Sequence, residues 1–142
     1  MALVKQVLKH KGGTVHHIEP DEPVIEAIRL MAQHGIGALL VMQDEQLLGV
    51  VSERDYARKV ILKGRSSSET PVRQIMSSPV IVVHAEQSVR DCMQIMTDKR
   101  VRHLPVVDAE RVIGVVSIGD LVRTVLEEQQ QTIDQLEQYI RG

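Results

Sequence analysis

Two short stretches hold the residues best suited to chemistry. Gly49-Val50-Val51-Ser52-Glu53-Arg54-Asp55 and Gly114-Val115-Val116-Ser117-Ile118-Gly119-Asp120 share the frame Gly-Val-Val-Ser-x-x-Asp. The β-branched run suits a buried strand, and Ser-x-x-Asp suits the first turn of a helix after it. At a helix start several backbone N–H groups lack intrahelical partners. A Ser there can cap the helix, or it can join those amides in holding a phosphate. The Asp, one turn in, offers two acceptor oxygens to a pair of ribose hydroxyls. The same spacing also describes a capping box, in which both side chains satisfy orphan donors with no ligand involved.

Little else points to catalysis. The single cysteine, Cys92, excludes an intrachain disulfide, and it falls on an apolar helical face that suits a small core residue. His10, His16 and His17 lack the i, i+4 spacing of a helical ligand pair, so no metal is expected. No Ser/His/Asp order, carboxylate pair or Gly-Lys-Ser/Thr loop occurs, and the chain reads as a non-enzyme. With no Phe, no Trp and two Tyr, it has few rings on which bases could stack, and a net charge of −2 gives no attraction to a polyanion. Nucleic acid is therefore not an expected partner. Nor is a membrane: no run of about eighteen apolar residues and no signal peptide is present, which predicts a cytoplasmic protein.

The elements that must position the two Ser-x-x-Asp turns follow from apolar periodicity. Residues 3–9 read as a short helix, Gly12-Gly13 as a loop, and Thr14 to Ile18 as a short strand. Val24, Ala27, Ile28 and Met31 make one helical face, ended at Gly35. Ala38–Met42 and Leu47–Val51 form a hairpin about Asp44-Glu45-Gln46. A helix from Glu53 then presents Tyr56, Ala57, Val60 and Ile61 on one face, and a polar stretch from Lys63 to Ser68 leads into the second half.

That second half repeats the first. A shift of 65 positions lays residues 21–58 on 86–123 without a gap, placing Gly49 on Gly114, Ser52 on Ser117 and Asp55 on Asp120. The lead-in repeats with another loop length, Val4-Lys5-Gln6-Val7-Leu8 matching Val72-Arg73-Gln74-Ile75-Met76. The expected fold is α/β: two pseudo-symmetric β-α-β-β-α repeats, at 1–64 and 65–126, packed sheet to sheet. An extra C-terminal helix follows at 127–142, where Val122, Leu126, Ile133, Leu136 and Ile140 approximate a heptad stripe.

Two units of this order, with Val72-Arg73-Gln74-Ile75-Met76-Ser77-Ser78-Pro79 entering the second and Arg102-His103-Leu104-Pro105-Val106-Val107 on its hairpin, resemble a tandem pair of cystathionine-β-synthase-type (CBS) domains. The resemblance, to what is called a Bateman module, covers residues 3–126. It implies a stand-alone, bacterial-type signalling protein that binds an adenine nucleotide in clefts between its repeats and modulates a regulated protein. AMP is the first expectation, with ADP, ATP or NAD(H) as alternatives. It also implies a homodimer. The competing reading is a ligand-free dimeric interaction scaffold, with Ser-x-x-Asp serving as caps alone.

Carried over residue by residue, the resemblance puts the ribose-binding carboxylates at Asp55 and Asp120 and the hydroxyls at Ser52 and Ser117. For the cleft with Asp55 it adds Thr14, Val15 and His16, Ile36, Gly37, Ala38 and Leu40, the guanidiniums of Arg54 and Arg58, and Arg102 and His103 of the second repeat. For the cleft with Asp120 it adds Val80, Ile81, Leu104 and Pro105, with Ile118 and Gly119 between Ser and Asp. Arg54 and Arg58 flank the first element, while the second keeps Arg123 as the counterpart of Arg58 but has Ile118 and Gly119 in place of the charged pair. Phosphate is therefore expected at Asp55, and weakly charged adenosine compounds at Asp120.

Overall fold

The computed structural model describes residues 1–142. Its elements are α1 (Val4–Lys11), β1 (His17–Ile18), α2 (Val24–His34), β2 (Ala38–Gln43), β3 (Gln46–Ser52), α3 (Glu53–Tyr56), β4 (Val83–His84), α4 (Val89–Lys99), β5 (His103–Asp108), β6 (Arg111–Ser117) and α5 (Ile118–Arg141). They build two three-stranded sheets, β1-β2-β3 and β4-β5-β6. In each, the first strand lies parallel to the second and the second antiparallel to the third. The expected α/β repeat with an extended last helix is therefore present.

The repetition extends to irregularities. The register slips between Val41 and Met42 in one hairpin and between Val106 and Val107, 65 positions on, in the other. Both turns use two residues of positive φ, Asp44-Glu45 and Ala109-Glu110, the geometry that matches strand twist in a two-residue hairpin. Helix α2 buries Val24, Ala27 and Met31, while α4 buries Val89, Cys92 and Met96 at the same spacing. Gly35 ends α2 in the left-handed region, and Arg100 adopts that conformation at the end of α4.

Three local expectations change. The strand expected from Thr14 to Ile18 is only His17–Ile18. The helix from Glu53 becomes a π-helical turn at Ala57–Ile61, so its register widens; Val60 is buried but Ile61 is 56% exposed. The second lead-in forms one 3-10 turn at Val72–Gln74 rather than a counterpart of the eight-residue α1.

Space also divides the chain differently from its sequence repeat. One compact unit joins Met1–Thr14 to Val82–Gly142, and the other runs from Val15 to Ile81. Each lead-in thus docks on the repeat it does not precede in homology. In one unit, Val4 N donates to Gln87 O (2.9 Å), Lys5 N to Ala85 O (2.9 Å) and Val89 N to Ala2 O (3.0 Å). In the other, Val72 N donates to Glu22 O, Arg73 N to Pro20 O and Val24 N to Thr70 O, each at 2.9 Å.

This docking explains the glycine that opens each Gly-Val-Val-Ser. A Cβ on Gly114 would lie 2.6 Å from Leu8 Cδ2, and one on Gly49 would lie 2.7 Å from Met76 Sδ and 2.9 Å from the Ser77 carbonyl oxygen. The Ser77 backbone is pinned by two bonds to Val50, at 2.8 and 3.2 Å, whereas the Leu8 side chain can rotate. Gly49→Ala should therefore destabilise by about 1–3 kcal/mol, as overpacked sites do, and Gly114→Ala by less. Urea denaturation of the two variants measures the order.

Candidate functional site

Both Ser-x-x-Asp elements are built as reciprocal caps. Ser52 Oγ accepts from Asp55 N at 3.2 Å, and Asp55 Oδ2 accepts from Ser52 N at 2.9 Å. Ser117 Oγ accepts from Asp120 N at 3.2 Å, and Asp120 Oδ2 accepts from Ser117 N at 2.8 Å. The first helical amide is taken as well: Glu53 N donates to Gly37 O at 3.0 Å, and Ile118 N to Arg102 O at 2.9 Å. Protein groups thus satisfy the first and third amides at each helix start. The carboxylates, more than the amides, are what these turns can offer a ligand.

Each carboxylate also carries a lysine that sequence reading missed. Asp55 Oδ1 lies 3.2 Å from Lys59 Nζ, which donates to Ile75 O at 2.9 Å. Lys59 stands four residues after Asp55, a spacing at which opposite charges meet on a helix, so this pair was open to detection. Asp120 Oδ2 lies 2.7 Å from Lys11 Nζ, which donates to Val115 O at 2.8 Å. Position 124, the counterpart of Lys59 (59 plus 65), is Thr124, whose Oγ1 donates to Asp120 O at 3.0 Å. The second lysine comes from α1, which the 65-residue repeat does not cover, and no local pattern announces it.

The two carboxylates are similarly buried despite the different sources of their lysines. The aspartate side chains are 14% exposed at Asp55 and 11% at Asp120. Burial pushes the Asp120 pKa up, but the bonds from Lys11 and Ser117 outweigh it and leave the group below its ordinary 3.8.

The other expected residues distribute as follows. Val15, His16, Ile36, Gly37, Ala38, Leu40, Ser52, Arg54, Asp55 and Arg58 belong to the unit Val15–Ile81, as do Val80 and Ile81. Thr14, Arg102, His103, Leu104, Pro105, Ser117, Ile118, Gly119 and Asp120 belong to the unit completed by Val82–Gly142. The Leu40 and Leu104 side chains are buried in the core, so only their backbones remain available. Leu40 N is already bonded to His16 O at 3.2 Å. His16 stacks on His34, with ring centroids 3.9 Å apart and 23° between planes. Burial and the nearby His34 and His17 lower its pKa from 6.5. Arg58 and Arg102 are exposed. Cys92 is fully buried, and burial with the Asp91 charge pushes its thiol up to about 11, which leaves it protonated and inert at neutral pH.

The CBS domain family matches residues 4–62 and again 72–127. The chain belongs to the CBS-domain family. Among its relatives, the mitochondrial CBS domain-containing protein CBSX3 of Arabidopsis thaliana is 41% identical over 98% of this chain and 72% of its own length. A solved CBS-domain protein from Burkholderia ambifaria MC40-6 superposes with a TM-score of 0.87 at 47% identity, covering 90% of this chain and 96% of that one. The CBS pair of protein MJ0100, solved in complex with 5′-methylthioadenosine and S-adenosyl-L-methionine, shares the fold with a TM-score of 0.80 at 24% identity, covering 90% of this chain and 98% of that one. CBS pairs are regulatory rather than catalytic modules. No helix is long and apolar enough to cross a membrane.

The Asp120 pKa carries a pH consequence. A carboxylate whose folded pKa lies below its unfolded value stabilises the fold above that unfolded value, and the gain is lost as pH falls through the folded pKa. The window therefore opens near 3.8 and extends below it. Melting temperatures of Asp120→Asn should fall less steeply with acidification through this window than those of the wild-type chain. Parallel melts across the range compare the slopes.

Proposed function

We propose that this CBS pair is a non-catalytic sensor that binds an adenine nucleotide through its Asp55 and Asp120 elements and thereby alters a regulated partner protein. AMP is the first candidate, with ADP, ATP and NAD(H) as alternatives. One observation carries the reading: two largely buried carboxylates at matched positions, each next to a helix start and each paired with a lysine ammonium. A carboxylate of this kind accepts hydroxyl donors from ribose, and an ammonium beside it meets phosphate. MJ0100, of the same fold, holds two adenosine-containing ligands, which favours this ligand class.

The completed capping boxes favour the second reading, a scaffold whose elements need no ligand. A panel of adenine compounds separates the two, since a ligand at 100 times its Kd adds about 2.7 kcal/mol of stability. A rise in melting temperature with AMP supports the sensor, and no rise with any adenine compound supports the scaffold. Asp55→Ala and Asp120→Ala should each weaken binding about 10–100-fold at their own element, the loss expected for hydrogen bonds to a charged group. Unchanged calorimetric affinity with a large loss of melting temperature would mean that the aspartates act as caps alone.

The reading includes a homodimer, supported by the tail. Helix α5 has 24 residues, roughly 36 Å at 1.5 Å per residue, and exposes Leu126, Ile133, Leu136 and Ile140. Leu126, Ile133 and Ile140 recur every seven residues with Leu136 between, an apolar stripe interrupted at Gln129-Gln130 that a second copy of the helix can cover. Truncation after Glu128 should weaken self-association in sedimentation without unfolding the repeats. An equally tight dimer after truncation excludes the tail from assembly.

A further inference from the structure

Lys11 and Asp120 form an ion pair assembled by tertiary packing. The ammonium belongs to the last residue of α1, the carboxylate to the first turn of α5, and they meet at 2.7 Å with side-chain exposures of 36% and 11%. Lys11 spends a second donor on the Val115 carbonyl, in the strand that leads into the Ser117 cap. The same oxygen, Asp120 Oδ2, accepts from both Lys11 Nζ and Ser117 N. A ribose diol that spans both oxygens of this carboxylate therefore meets Lys11 at one of them, Oδ2.

The consequence depends on ligand charge. A neutral diol that takes over Oδ2 satisfies the hydrogen bond but not the ammonium, and separating a partly desolvated ion pair is costly. A ligand with a phosphate brings its own anion. The long, flexible lysine stem can turn to that phosphate while the hydroxyls take the carboxylate, so neither charge is left alone. The helix that carries Asp120 supplies no replacement at the position of Lys59, because Thr124 stands there.

We infer that Lys11 is a specificity-determining residue of the Asp120 element, an internal cation that makes this element select phosphorylated over uncharged adenosine compounds. The inference rests on the adenosine-binding reading above and assigns it a charge requirement that the local sequence Ser-Ile-Gly-Asp does not contain.

The test uses the full chain, with the backbone amide resonances of Ser117 and Asp120 as local reporters during titration with AMP and, separately, with adenosine. In the wild type, AMP should saturate these shifts at a lower concentration than adenosine. Lys11→Met keeps the aliphatic stem and should lower the AMP-over-adenosine preference by about tenfold, the loss of one charge-assisted contact. Lys11→Arg should keep most of the preference, which guards against a trivial loss of α1 docking. Equal weakening of both ligands in Lys11→Met, or any other result that leaves the AMP-over-adenosine preference unchanged, overturns the specificity role. If neither ligand moves these resonances in the wild type, adenosine binding at Asp120 fails, and the inference falls with it.

Discussion

The contact on which most else depends is the seating of each lead-in against the glycine of a Gly-Val-Val-Ser strand. Leu8 fills the space over Gly114, and Met76 fills the space over Gly49. Three backbone bonds per unit then tie the lead-in to the residues before and at the start of α2 or α4, and they correspond one for one between the units. Because the covering side chains stand where any Cβ would go, close packing there requires glycine, and tight interiors tolerate little added volume. The same seating delivers Lys11 to Asp120, while in the other unit Lys59 reaches the lead-in carbonyl of Ile75 from α3 and its continuation. Fold and candidate site thus share one piece of packing.

Capping and binding are compatible uses of one turn. Ser52 and Ser117 hold the helix starts closed, which places each aspartate by both backbone and side chain. A carboxylate fixed in this way is preorganised, and a ligand need not order it. The lysines keep those buried charges compensated in the meantime. Removing one partner of such a pair leaves an uncompensated charge, so an approaching ligand must satisfy both members.

The units differ where the repeat ends. After Asp55 the helix passes into a π turn and stops at Ile61, whereas after Asp120 it runs unbroken to Arg141. The longer helix carries the exposed apolar stripe, so any assembly built on it engages the unit that contains Asp120.

The sequence by itself determined what depends on local pattern. Apolar periodicity places α2 and the first hairpin within a residue or so, and the 65-residue shift carries them onto α4 and the second hairpin; the matched register slips appear only in the structure. Ser52, Asp55, Ser117 and Asp120 were legible because a cap is a short-range device, written within four residues. Tertiary structure decided which segments complete each unit and which cation meets Asp120. Lys11 and Asp120 lie 109 positions apart, and neither α1 nor the Ser-Ile-Gly-Asp turn names the other. The widened register at Ala57–Ile61 was hidden for a similar reason: apolar spacing predicts an α-helical face, and only the packing of Val60, with Ile61 left outside, selects the π turn. Local free energies write themselves into neighbouring residues, while a contact closed across the chain is fixed by the shape of the packed core.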